Sequence, residues 1–302
     1  LKYKYPDISK IYVPNNVFIA VWNCALMEYP KNILEVMKMN PNTLNIDVSE
    51  EYILSLDKNS VVFIVHNLGY IVNVMRLKKL RPDLIFIEDN CEGFTGKYNN
   101  QYSGTQSLCS SLSFYANKII TSGEGGAFLT NDKSIYNYIL KLHSHGMTEE
   151  RYIHNTIAYN YRMTNIQAAF LYEQLIDMEY ILKKKQNVFD FYDILFKNNM
   201  NNKKIIKITD EVNTTHSNWM YSIIIPKLDY KKFEIYMLKS NIEIRPFFYD
   251  IRKHEHLKNI KINYNELEIT KHGVILPSYP MITNDEQKYI SYIVNNFINL
   301  NL

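Results

Sequence analysis

The sequence predicts an α/β protein, with a large unit on a mostly parallel sheet followed by a smaller α+β unit. Three observations carry this expectation. The apolar runs Val61–Val65 and Leu84–Ile87 are separated by Val72–Leu80, which has helical spacing. Short continuous apolar runs suit strands buried on both faces, as in a parallel sheet covered by helices. The second run ends in the acids Glu88-Asp89, and ligands bind at the C-terminal ends of strands in such sheets.

The elements are read in chain order. Ser9–Val13 is a short strand closed by Pro14-Asn15-Asn16. The helix Val72–Leu80 carries basic residues near its end and is stopped by Arg81-Pro82-Asp83. Ser111–Tyr115 and Ala127–Thr130 are further strands, the second after a glycine-rich turn. Asp132–Leu142 is a helix, and Asn165–Asn199 reads as one long helix. From Lys204 the texture changes: Lys204–Ile208, Tyr221–Ile225 and Ile242–Arg245 are strand-like, Lys231–Ser240 is an amphipathic helix, and Thr283–Asn299 closes the chain as a helix. The boundary is placed inside the long helix near residue 185, giving units 1–185 and 186–302.

Composition excludes several classes. The 302 residues are 46% hydrophobic and 22% charged, which rules out disorder or coiled coil for the whole chain. No apolar run approaches the roughly 20 residues needed to cross a bilayer, and Leu1–Pro6 has no apolar signal region. A net charge of +3 without a recognition motif argues against a nucleic-acid partner. Lys183-Lys184-Lys185 is read as a solvated helix face. Cys24, Cys91 and Cys109 are too few and too scattered for a disulfide framework or a zinc site, so a reduced, cytoplasmic chain with no metal is expected.

Chemistry concentrates between Ile87 and Asp132, and four of the nine glycines fall within Gly104–Gly126. Asp89 ends a buried strand, and Lys118 follows the next predicted strand, among Ser113, Ser122 and the turn Gly123-Glu124-Gly125-Gly126. A lysine at the mouth of a sheet can serve as a nucleophile or imine former. A neighbouring carboxylate can hold a protonated ring nitrogen, and lysine plus acid is the pair that pyridoxal phosphate chemistry requires. Hydroxyls and backbone N–H groups at turns suit a phosphate. On spacing alone, a surface lysine, a capping aspartate and a plain tight turn remain the commoner explanation of the same residues.

The order of motifs resembles the DegT/DnrJ/StrS family of sugar-nucleotide aminotransferases, fold type I pyridoxal phosphate enzymes. Glu88-Asp89, Gly104-Thr105, Ser113-Phe114 with Lys118, Gly123–Gly126 and Thr130-Asn131-Asp132 occur in the family's order. His145-Gly146-Met147, the run from Tyr159 to Ala169, Trp219-Met220-Tyr221, Ile244–Tyr249 and Leu276–Pro280 extend the match to the C-terminus.

The resemblance implies roles. Lys118 stands where the family forms its imine with the cofactor and later shuttles a proton; Asp89 would hold the pyridinium nitrogen and Ser113 the phosphate. Phe18 occupies the place of the aromatic that stacks on the ring. Glu92 stands where glutamine or histidine is common beside the ring. Asn160 matches a residue that reaches the phosphate of a neighbouring subunit, implying a homodimer with shared sites, and Arg245 is a candidate for the nucleotide-sugar side. The implied reaction moves the amino group of glutamate to a 4-keto-6-deoxy sugar nucleotide, of the perosamine or viosamine type. A 3-keto sugar aminotransferase and a non-catalytic subunit on the same fold are the alternatives. A related dehydratase class carries histidine at the lysine position, and Lys118 argues against it. Two departures stand out: Asp250-Ile251-Arg252 replaces the family's Pro-x-His, and the family's phosphate-binding Ser-Gly-Thr turn would fall before Leu1, so a fragment is expected.

Overall fold

The computed structural model describes residues 1–262, 264 and 267–301. Its centre is a six-stranded sheet of β1 (Ile11–Pro14), β2 (Leu34–Met37), β3 (Val61–Val65), β4 (Ile85–Asp89), and two later strands, β7 (Cys109–Ser113) and β8 (Gly126–Leu129). Between β4 and β7 the chain makes two-residue strands, β5 (Lys97–Tyr98) and β6 (Gln101–Tyr102). The sheet order is β2-β1-β3-β4-β7-β8, parallel throughout except for the antiparallel pair β7/β8. Val61, Val62 and Ile64 are fully buried, as expected for a sheet covered on both faces. Helices α1 (Ala20–Glu28), α2 (Glu50–Leu54) and α3 (Val74–Leu80) connect the first four strands.

Beyond the sheet lie α4 (Lys133–Leu142), α5 (Asn165–Ile176) and α6 (Met178–Asn201), then β9 (Thr214–Thr215), β10 (Tyr221–Ile224), α7 (Tyr230–Lys239), β11 (Arg245–Pro246), β12 (Gly273–Leu276) and α8 (Asn284–Asn301). The strands β10, β12 and β11 form a small antiparallel sheet, while β9 joins the β5/β6 hairpin. One apolar core lies around β1–β4 and another between α6, α7, α8 and the small sheet. A third, with Phe114, Ile120, Trp219, Phe247 and Ile275, joins them.

Several sequence expectations need correction. The long helix is two, because Asp177 at the junction takes a non-helical ψ of 14° and caps α5. The strand expected at Ser111–Tyr115 runs two residues earlier, because Ser113 pairs with Gly126 and the chain then turns, leaving Tyr115 exposed. Lys204–Ile208 contributes only the bridge Ile206–Ile224, and Ile242–Arg245 only the first residue of β11. Local signals do set the helix starts: Asp132 accepts from the N–H groups of Ser134 and Ile135, and Thr164 forms a capping box with Gln167.

Candidate active site

Parallel pairing puts the C-terminal ends of β1, β3, β4 and β7 along one edge of the sheet. Asn15-Asn16, His66-Asn67, Asp89 and Ser113 stand at those ends. Asn67 Nδ2 donates to the Asn16 carbonyl at 2.9 Å, tying two of them together. This is the edge at which a parallel sheet binds ligands. The C-terminal unit reaches the same edge, where Asn15 Nδ2 donates to Asp250 Oδ2 at 2.9 Å and Ile251 N donates to Asn15 Oδ1. Asp250, in the segment that departs from the family pattern, is buried and bonded to Arg252 Nε at 2.7 Å.

The acid pair at the end of β4 divides its labour by alternation. Successive side chains of a strand face opposite ways. Glu88 is buried and accepts from His66 Nε2 at 3.1 Å and from the N–H groups of Gly104, Gln106 and Ser107. His66 Nδ1 accepts from Val72 N, so the ring hydrogen on Nε2 faces Glu88. Burial alone would raise the Glu88 carboxyl; His66 and the Ser107 and Gly104 donors overcome it and bring it down to about 2. Glu88 thereby pins the loop that follows β4. Because its folded value lies below the ordinary 4.5, its stabilisation is present above that pH and is lost as pH falls toward 2. Glu88→Gln is expected to cost about 2–3 kcal/mol at neutral pH in denaturant unfolding, and to flatten the acid limb of the stability curve.

Asp89 faces the other way. It is partly buried, and among the described residues its Oδ1 accepts a local bond, from Cys91 N at 3.0 Å. Glu92 lies close by, buried, with Oε2 accepting from Leu68 N at 2.7 Å. Burial raises its carboxyl to about 7, opposed by the Lys118 ammonium and reinforced by the Asp89 carboxylate. Lys118, Asp89 and Glu92 therefore share one electrostatic neighbourhood. The sign of the Glu92 shift gives a test. Unfolded, the group ionises near 4.5; folded, it keeps its proton up to about 7, so stability falls as pH rises through that window. Glu92→Gln is expected to stabilise the cofactor-free protein by about 1–3 kcal/mol near pH 8 and by little near pH 5, in paired thermal or urea unfolding.

Lys118 sits in the turn after β7, its N–H bonded to the Tyr115 carbonyl at 2.9 Å. Its Nζ lies 3.9 Å from the centroid of the Trp219 ring. Among the described residues it has no hydrogen bond or ion pair. Trp219 Nε1 donates to the Asn117 carbonyl at 3.0 Å, so the indole is clamped to the residue beside the lysine. The glycine-rich turn closes behind it. Gly125 has φ +150°, and a Cβ there would come within 2.6 Å of Ser122 Oγ; one on Gly126 would come within 2.7 Å of the Leu112 carbonyl oxygen. Gly69, at φ +98°, admits the Ser217 segment, since a Cβ would lie 2.4 Å from Ser217 Oγ. That hydroxyl donates to the Glu92 carbonyl and accepts from Trp219 N, linking Glu92 to the indole beneath Lys118.

Lys118 and Arg245 line one cleft of about 890 Å³, together with Trp219, Met220, Ser278 and Tyr279. Arg245 pairs with Glu243 at 3.6 Å and remains largely exposed. Phe18 is 55% exposed and meets Phe248 edge-on, with centroids 6.0 Å apart. Ser113 Oγ accepts weakly from Tyr115 N at 3.3 Å. Asn160 stands apart from the cleft, exposed, with Oδ1 accepting from Arg162 Nε at 3.0 Å.

A family model for the DegT/DnrJ/EryC1/StrS aminotransferases matches residues 5–295. The chain belongs to that family. A GDP-perosamine synthase of Escherichia coli O157:H7 is 30% identical over 299 residues, covering 96% of this chain and 79% of the relative. An aminotransferase of Helicobacter pylori involved in pseudoaminic acid biosynthesis shares the fold with a TM-score of 0.85 at 21% identity, covering 98% of this chain and 82% of that one. An Escherichia coli GDP-4-keto-6-deoxy-D-mannose-3-dehydratase does so with a TM-score of 0.81 at 23% identity, covering 95% and 79%. As a DegT/DnrJ/EryC1/StrS protein the chain is a pyridoxal-phosphate-dependent sugar aminotransferase.

The groups at the sheet edge fit that cofactor. The chain offers an amine without an ion pair, a carboxylate with one oxygen locally bonded, and the buried Asn117 Oδ1 without a partner beside the lysine. Three neighbours of the site escaped the sequence reading. Trp219 belongs to a quoted motif without a role, and Glu88 was not separated from Asp89. Lys185, expected on a solvated face, is buried. No helix among the described residues is long and apolar enough to cross a membrane.

Proposed function

We propose that this enzyme moves the amino group of glutamate to C4 of a nucleotide-linked 4-keto-6-deoxy sugar, as in perosamine or viosamine formation. The observation that carries the reading is the unpaired Lys118 amine in a cleft shared with Arg245, with Asp89 and Glu92 in its electrostatic field. The likeness to a GDP-perosamine synthase supports C4 over C3.

Pyridoxal phosphate, when bound, supplies an aldehyde that takes up the amino group and a ring that spreads negative charge. The chain's own residues do the rest. Lys118 would hold the cofactor through its amine and would carry a proton at the reacting carbon. Asp89 would accept the ring N–H in a charge-assisted bond and keep that proton in place. Ser113 would donate its hydroxyl to the phosphate. Phe18 would cover one ring face, and Glu92 would stand beside the ring. Arg245 offers a planar fork of donors suited to a diphosphate. Incubation of the loaded enzyme with glutamate and 4-keto or 3-keto sugar nucleotides, followed by mass spectrometry and NMR of the product, tests the reading. Amination at C4 is expected; amination at C3 alone, or none with either, contradicts it.

The reading includes a homodimer. Ile157 is 91% exposed, and Tyr161, Ile166 and Phe170 on the adjoining loop and α5 are also largely exposed. Such a patch marks an interaction surface. A second copy covering it would carry its own Asn160 to the partner's Ser113 and Lys118, building two composite sites across a two-fold axis. Inactive Lys118→Ala chains mixed with inactive Asn160→Asp chains are then expected to regain up to about half of wild-type activity per heterodimer, since one site is intact. No recovery at any ratio contradicts shared sites.

A further inference from the structure

Lys185 is a cation where the core has no anion for it. It is 2% exposed on α6, and its Nζ donates to the carbonyls of Trp219 at 2.9 Å and of Ser278. The Phe189 ring lies 5.4 Å away, and no carboxylate pairs with it among the described residues. A buried charge held only by carbonyls is costly, and an apolar side chain of equal length would fill the same space more cheaply. Burial brings its amine down to about 7, the sign of that cost.

The two carbonyls belong to the two segments that wall the cleft. Tyr221 N donates to Ser278 Oγ at 3.0 Å, and Tyr192 OH, also on α6, donates to the Pro277 carbonyl at 2.8 Å. Both walls thus hang from α6. Trp219 in turn stacks under the Lys118 ammonium and bonds to the Asn117 carbonyl. We infer that Lys185 is a positioning residue for the proposed reaction: by holding the Trp219 and Ser278 carbonyls it fixes the indole against Lys118. Lys185 borders the same cleft but is 2% exposed with its ammonium turned to the two carbonyls, so it acts through Trp219.

The inference rests on Lys118 being the reacting amine, and its test reads a signal that does not depend on activity. The chain has two tryptophans, and Trp22 is fully buried in the core of the large sheet, with no contact to Lys185. A change in intrinsic emission on replacing Lys185 therefore reports Trp219. Lys185→Met is expected to shift the emission of the cofactor-free protein to the red. In the loaded enzyme it is expected to lower kcat by about ten- to a hundredfold, with KM for the keto sugar within about threefold, since small misplacements cost that much. Lys185→Arg, which keeps charge and donors, is expected to recover most of the loss. In a Trp219→Phe background, Lys185→Met is expected to cost little more.

Unchanged emission and kcat in Lys185→Met, or losses that add fully to those of Trp219→Phe, overturn the inference. Should Lys185→Met fail to fold, Lys185→Gln, too short to reach both carbonyls, is read by the same criteria. A failure here leaves amino transfer by the wild type standing. A failure of the proposed reaction appears in the wild type itself, while the emission shift persists.

Discussion

Replacing Lys118 with alanine is expected to stop amino transfer, lowering turnover by about 10⁴-fold, the upper range for loss of a positioned proton-transfer group. The effect is large because the cleft holds no second amine in an equivalent place. Arg245 lines the same cleft but cannot give up its proton, and Lys185 is committed to two carbonyls. The fold should survive, since among the described residues the Lys118 ammonium has no hydrogen bond or ion pair and its contact with the Trp219 ring is worth about 0.5–1 kcal/mol at such a site. Circular dichroism and a melting curve close to wild type, alongside the lost turnover, are the expected pair of results.

Asp89→Asn is expected to lower turnover by about 10²–10³-fold, the usual cost of removing one preorganised electrostatic group from a reacting centre. The shape is nearly kept, and the amide oxygen can still accept from Cys91 N. What is lost is the negative charge at the end of β4. The neighbouring Glu92 is a poor substitute, because burial holds its carboxyl near neutrality's threshold, at about 7, and its Oε2 is occupied by Leu68 N. Steady-state kinetics with both substrates saturating measure the loss, and a variant with wild-type kcat would remove Asp89 from the ring nitrogen.

Much of this site was legible in the sequence because it is built from local grammar. Val61–Val65 and the strand ending at Asp89 are marked by apolar runs, and parallel pairing then places their ends together. The glycine turn was legible because Gly125 sits at a φ few other residues adopt, and Gly126 meets a backbone oxygen. What remained hidden depends on tertiary approach. The strand β2 is not among those expected from the sequence and is set by pairing with β1, and β12 is set by pairing with β10 and β11. The break at Asp177 interrupts a helical pattern that continues on both sides.

Lys185 shows how a run of charges can conceal a buried position. As one of three consecutive lysines it matched a solvated face. Yet it falls in register with Val188, Phe189, Tyr192 and Phe196, the buried stripe of α6. The helical spacing of that stripe places Lys185 inside, and the charge run obscured it. The division between Glu88 and Asp89 follows equally from strand alternation, but which of the two faces the cleft is decided by the Gly104–Ser107 loop wrapping around Glu88.

The central claim is that Lys118 is the amine that engages pyridoxal phosphate. Borohydride reduction of the cofactor-loaded protein, followed by proteolysis and mass spectrometry, tests it most directly. The pyridoxyl mass is expected on the peptide containing Lys118 and on no other lysine, Lys185 included. A label on another lysine, with Lys118 unmodified, would contradict the account.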